Sequence, residues 1–166
     1  MKEIQAPAKY DLGPADFTIF LAGSIEMGTA EQWQKRVLEE FEGYDVHVFN
    51  PRRDDWDSSW EQRASNPNFR EQVEWELQAL DDSNLVIFYF SPGTRSPVTL
   101  LELGLFAHEN IFVCCPDGYW RKGNVEIVMS WYRRSGVVKG RSGRLFDDLD
   151  VMLDHIKDYI SDRRIK

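Results

Sequence analysis

The sequence has few of the residues that build cross-links or metal centres. Only two cysteines occur among 166 residues, and they are adjacent, Cys114-Cys115. In a strand such neighbours point to opposite faces, so the pair fits neither a disulfide framework nor a metal-ligand spacing, and both are expected as buried thiols. The three histidines, His47, His108 and His155, form no H-x-x-x-H pair, and no metal or other cofactor is expected. Long apolar runs are missing too. No stretch approaches the roughly 20 residues of a membrane span. The opening MKEIQAPAKYDLGPADF lacks the apolar core of a signal peptide, so the chain is expected to be cytoplasmic and without a membrane partner. Positive charge is scarce, with 20 Lys+Arg against 28 Asp+Glu for a formal net charge of −8. A surface of that sign repels long polyanions, so no nucleic-acid polymer is expected as a partner, whereas a small nucleotide held by local dipoles is compatible with it. The basic cluster from Arg133 to Arg144 reads as a solvated loop.

What is present points to one core. Hydrophobic residues make up 42% of the chain and no Gly/Ser/Pro-rich linker divides it, so residues 1–166 are expected to form a single domain. Short β-rich runs are Phe17–Ala22, Val46–Phe49, Leu85–Phe90, Ile111–Cys115 and Val137-Val138. Helical patterns lie between them: Thr29 to Phe41, a segment beginning near Pro67, one opened by Ser96-Pro97, one over Val125 to Arg134, and a last amphipathic one from about Arg144 to Ile160. Strands alternating with helices predict an α/β, Rossmann-like domain: a five-stranded parallel sheet, doubly wound, with helices on both faces. Ligands of such sheets sit at the carboxyl ends of the strands, which directs attention to the turns Gly23–Gly28 and Ser91–Ser96.

The most informative residue is Glu102, set in Ser96-Pro97-Val98-Thr99-Leu100-Leu101-Glu102-Leu103-Gly104. On a helix its neighbours three and four residues away are Val98, Thr99, Leu105 and Phe106. An ionised carboxylate so placed is costly unless something compensates it. It reads either as a nucleophile or acid/base group facing the crevice, or as a rim glutamate that reaches solvent or pairs with an arginine. Glu76 shares a helical face with Phe69, Val73 and Leu80 and supplies a possible second acid. One ionised and one protonated carboxyl group are what cleavage of a glycosidic bond needs. Gly23 and Ser24 form a strand-to-helix turn that either cradles a phosphate or sugar oxygen or is a turn only. Asn50 and the loop through Trp56 and Trp60 combine amide, charge and aromatic groups in the manner of a base-stacking lid, or are a capped surface loop. Asn124 sits near an expected helix start, where an N-cap is the simpler role.

Together, Phe20-Leu21-Ala22-Gly23-Ser24-Ile25, the Glu76-Leu77 helix and Ser96-x-x-Thr99-x-x-Glu102-Leu103-Gly104 resemble the nucleoside 2-deoxyribosyltransferase superfamily, including the 2′-deoxynucleoside 5′-phosphate N-hydrolases, over roughly residues 17 to 116. The resemblance implies that Glu102 attacks the anomeric C1′ and forms a covalent deoxyribosyl-enzyme, with Glu76 as the second acid. It implies a small-molecule nucleoside or nucleotide substrate, with transfer to another base or to water. Substrate contacts fall on Phe20, Gly23, Ser24, Asn50, Trp56, Ser96, Thr99 and Asn124, and a homo-oligomer is implied whose neighbouring subunits complete each site. Serine at position 96, where the transferases typically carry aspartate, resembles the phosphate-recognising hydrolases. Three positions depart from the family pattern: Phe20 replaces a tyrosine, Glu26 an arginine, and Ser91 an aspartate. These departures keep a rival open, a nucleotide-binding module on the same fold without turnover. A flavodoxin-like binder is disfavoured by the absence of a hydroxyl-rich loop after the first strand.

Overall fold

The computed structural model describes residues 1–14, 16–25, 31–53, 55–57, 59–136 and 143–164. Six strands form one sheet: β1 (Lys2–Gln5), β2 (Thr18–Gly23), β3 (His47–Asn50), β4 (Leu85–Tyr89), β5 (Ile111–Cys114) and β6 (Arg144–Phe146). Five helices connect or follow them: α1 (Trp33–Glu40), α2 (Pro67–Asp81), α3 (Pro97–Phe106), α4 (Lys122–Ser135) and α5 (Leu149–Arg164). The strand order is β1-β3-β2-β4-β5-β6 and every pairing is parallel. β4, Leu85-Val86-Ile87-Phe88-Tyr89, is buried at all five positions because helices cover both faces of the sheet, which is why it reads as a continuous apolar run.

The alternation of side chains sorts the core into two layers. Phe20, Val86 and Phe88 point to the side covered by α2, α3 and α4, together with Leu80, Leu103 and Met129. Leu21, Leu85 and Ile87 point to the side covered by α1 and α5, with Trp33, Val37 and Ile156. The chain passes from β2 outward to β3 and then back across β2 to β4, so strand order reverses between β2 and β4. Their carboxyl ends, registered as Gly23 opposite Tyr89, flank the crevice where a ligand of this architecture binds.

Two boundaries differ from the sequence reading. The sheet has six strands rather than five: β1 carries a single buried apolar residue, Ile4, and exists because it pairs with β3 along its length. At the other edge, Arg144–Phe146 is a strand against β5 rather than the start of the last helix, which begins at Leu149. Val137-Val138 and residues 26–30 lie outside the described residues. α4 starts at Lys122, so Asn124 is inside the helix and not its cap; the N-cap position belongs to Arg121. At α2 the Asn66 side chain accepts the backbone N–H groups of Asn68 and Phe69 at 3.1 and 3.3 Å and Pro67 opens the first turn.

Candidate active site

The carboxyl ends of β2 and β4 are joined by a knot of hydroxyls. Ser24, the first residue after β2, donates its backbone N–H to the Tyr89 carbonyl at 3.2 Å, tying the ends of β2 and β4 together. Its Oγ accepts the Ser91 N–H at 3.1 Å and lies 2.8 Å from Thr94 Oγ1 and 2.5 Å from Ser96 Oγ. Thr94 and Ser96 are 2.9 Å apart, and Thr94 Oγ1 donates to the Ser91 carbonyl at 2.8 Å. All three hydroxyl residues are buried. Ser96 occupies the N-cap position of α3 but makes no capping bond, because its hydroxyl is turned into this knot. Its backbone is left-handed, φ 44° and ψ 54°, a conformation that costs a serine about 1–2 kcal/mol.

Gly23 is required by close approach. A Cβ there would lie 2.4 Å from the Trp33 ring and 2.7 Å from the Tyr89 carbonyl oxygen. Trp33 fills the space itself, donating its indole N–H to the Ser24 carbonyl at 3.1 Å and packing against Tyr89. Tyr89 in turn donates its hydroxyl to the Glu31 carboxylate.

One turn into α3, Thr99 and Glu102 are both buried, Glu102 at 8% exposure. Burial pushes the Glu102 carboxyl up to about 8, and the charge of Glu76 adds to the effect. Glu76, on α2, is pushed up to about 7 by burial, against which the hydrogen bond from Gln72 Nε2 at 2.8 Å pulls down. Glu102 thus senses the charge of Glu76 across the seam between α2 and α3, and burial favours the protonated form of both acids. Such a pair can donate a proton and supply a carboxylate in the same turnover.

Gln72 is a buried hub that the sequence pattern did not single out. Its Nε2 also donates to the Pro51 carbonyl at 2.9 Å, and its Oε1 is 3.5 Å from Arg53 Nη1. Arg53 is held by both oxygens of Asp55 and lies over the Trp60 ring, which meets Trp56 edge-on at 5.1 Å. The loop carrying Trp56 is therefore joined to Glu76 through Trp60, Arg53 and Gln72. Thr94 is the other member missed; its only signal was a hydroxyl in the turn Ser91–Ser96. The remaining expected residues sit apart. Phe20 is wholly buried in the core. Asn50 donates to Glu3 at 2.8 Å and accepts the Arg52 N–H at 3.1 Å, so its amide holds β1 and the turn after β3. Asn124 is exposed on α4, and no described side-chain contact joins it to the acids or the hydroxyls. Among the described residues no helix is long and apolar enough to cross a membrane.

Residues 16–119, which take in β2 to β5 and both acids, match the family model described as nucleoside 2-deoxyribosyltransferase like. No curated protein matches the sequence. The crystal structure of a conserved protein from Enterococcus faecalis V583 aligns with a TM-score of 0.58 at 13% identity, covering 87% of this chain and 99% of that one, a likeness of fold. With its family match spanning more than half of the sequence and both acids in place on α2 and α3, the chain belongs to the nucleoside 2-deoxyribosyltransferase-like family.

Proposed function

We propose that the protein is an enzyme that cleaves the N-glycosidic bond of a 2′-deoxyribonucleoside or its 5′-monophosphate through a covalent deoxyribosyl ester on Glu102. The observation that carries this is the pair of acids whose pKa burial raises, Glu76 on α2 and Glu102 on α3; α3 starts from Ser96 of the hydroxyl knot. A Glu102 oxygen bonds to C1′ as the C1′–N bond breaks. The electron pair leaves with the base, whose ring nitrogen takes the proton of Glu76. Water or a second base then attacks C1′ and releases Glu102, while Glu76 takes the proton back. In the free chain Glu102 holds its proton more firmly than Glu76 does. Positive charge growing at C1′ stabilises Glu102 as the anion and shifts that proton to Glu76, so the substrate sets the two roles.

The sugar end of the substrate is assigned to Ser24, Thr94, Ser96 and Thr99, with the backbone at Gly23 and the amino end of α3 beside them, donors suited to a 5′-hydroxyl or phosphate. The base is assigned to the Trp56 loop, which is linked to Glu76 through Gln72. Phe20 and Asn50 support the site from the core and the turn. The working unit is a homo-oligomer in which Asn124 reaches a neighbouring copy, and a net charge of −8 favours small substrates over polymers. Chromatography of deoxynucleosides and their monophosphates after incubation tests the assignment: free base is released, and Glu102→Ala lowers the rate about 1000-fold or more. Unchanged release by Glu102→Ala removes Glu102 as nucleophile. Binding without release favours the non-catalytic module instead, for which the buried Phe20, lacking a phenolic hydroxyl, is the supporting feature.

A further inference from the structure

Gln72 precedes Glu76 by one turn of α2, so the two side chains share a face of the helix, and Gln72 is only 4% exposed. Three neighbours leave its amide a single orientation. Nε2 donates one hydrogen to the Pro51 carbonyl at 2.9 Å and the other to Glu76 Oε1 at 2.8 Å, while Oε1 of Gln72 faces Arg53 Nη1 at 3.5 Å. Turned over, the amide would set its oxygen against two acceptors and its hydrogens against a guanidinium. A side chain that can only donate to Glu76 makes the two oxygens of that acid unequal. Oε1 is the acceptor, and a proton placed on it would weaken the bond from Gln72. The proton of the neutral acid therefore belongs on Oε2, which has no hydrogen-bond partner among the described residues. The charged groups around this arrangement are Glu102 on α3, which feels Glu76, and Arg53 in the turn after β3, on which Asp55 and Glu71 act in turn.

We infer that Gln72 is a positioning residue for the glycosidic step: it fixes Glu76 Oε2 as the oxygen that passes its proton to the leaving base, and it steadies the carboxylate that remains. The inference rests on the cleavage proposed above and adds a residue to it. As the C1′–N bond breaks, the O–H bond on Oε2 breaks too. The proton bonds to the ring nitrogen, and the electron pair of the O–H bond stays on Glu76, shared with Oε1. The Gln72 N–H then meets an anion in place of a neutral carbonyl oxygen, and a hydrogen bond to an ionised acceptor is about twice as strong as a neutral one. An interaction that grows along the reaction lowers the barrier, whereas one of constant strength does not. Burial works the other way by favouring the protonated acid, so Gln72 offsets part of what burial takes from its strength. The bond to the Pro51 carbonyl supplies the anchor: it ties the donor to the turn after β3, so the acid is set relative to the loop carrying Trp56 and Trp60. A strap between α2 and that turn would need the Pro51 bond alone; the second bond, to Glu76, is what points to the reaction.

The test is base release by Gln72→Met and Gln72→Glu, which keep the length of the side chain and lose the amide donor. On a substrate that the wild type cleaves, Gln72→Met should be slower by about 10- to 100-fold, the worth of a hydrogen bond to a charged acceptor. Gln72→Glu should be slower still, because its own charge holds the Glu76 proton more firmly. The loss should largely vanish with 2′-deoxy-7-methylguanosine, whose base already carries a positive charge and departs without taking a proton. An equal loss on both kinds of substrate overturns the inference in favour of a strap. Carbon-13 NMR reads the same arrangement without turnover: the Glu76 carboxyl should titrate at higher pH in both variants than in the wild type, and an unchanged titration overturns the inference. In the wild type itself, the Gln72 side-chain amide signals should move with the Glu76 titration, a measurement that needs no variant to fold; signals that ignore it also overturn the inference. A wild type that releases no base from any deoxynucleoside or monophosphate overturns the cleavage and the part of Gln72 in it, whereas base release with a failed titration overturns Gln72 alone.

Discussion

Replacing Glu102 by glutamine should make the folded protein progressively more stable than wild type as pH rises. The folded-state pKa of Glu102 is raised from its ordinary 4.5 to about 8, first by burial and then by the charge of Glu76. The stabilisation of the wild type is complete below pH 4.5, where both states hold the proton. Above that the unfolded chain ionises while the folded one does not, so stability falls until Glu102 itself ionises near 8. From pH 5.5 to 8 the folded state loses about 1.4 kcal/mol per pH unit, or about 3 kcal/mol in total, an upper figure because water entering the seam relaxes part of it. Glutamine has the size of the protonated acid and nothing to titrate, and any cost of its amide is the same at every pH. Urea unfolding of both proteins at pH 5.5, 7 and 8 measures the difference. It should grow in favour of the variant by at least about 1 kcal/mol across that range, while base release is lost. A difference that stays level, or that moves towards the wild type, would mean that the Glu102 anion has a partner in the folded state, and the argument from an uncompensated buried acid would be wrong.

Glu76→Gln removes the neighbouring charge and should move the Glu102 titration to lower pH, measurable by carbon-13 NMR of the carboxyl groups. Gly23→Ala should cost about 3 kcal/mol in thermal or urea unfolding, because the Tyr89 carbonyl at 2.7 Å belongs to the backbone of β4 and cannot move aside. Ser96→Gly and Ser96→Ala both lose the contact with Ser24, but only glycine relieves the left-handed backbone, so the glycine variant should be the more stable by about 1 kcal/mol. Cys114 and Cys115 are fully buried and burial pushes both thiols up to about 12, so neither should react with Ellman's reagent at pH 8 until denaturant is added, when both should.

The central strands were readable because burial on both faces leaves a continuous apolar run, as at Leu85–Tyr89, and because Gly23 and Asn50-Pro51 punctuate the ends of β2 and β3. Glu102 was readable for the opposite reason, a charge where its neighbours forbid one. The edge strands were not. Lys2–Gln5 has no alternation of its own and is a strand only through its pairing with β3, some 45 residues away in sequence, and Arg144–Phe146 merges with the amphipathic run of α5. Thr94 and Gln72 were hidden for a related reason: a threonine in a turn and a glutamine on a helix carry no signal until the fold brings them to Ser24 and to Glu76. Asn124 was misplaced because α4 begins two residues before it, without a capping side chain to mark the spot.

The indole of Trp33 has a reach beyond the space it fills. It belongs to the helix layer on the far side of the sheet from Glu102, yet its N–H grips the Ser24 carbonyl, and the Ser24 hydroxyl grips the residue from which the Glu102 helix springs. Reactivity at the acids can therefore be tuned from behind, by substitutions in α1 that shift this lever without touching any substrate-facing group.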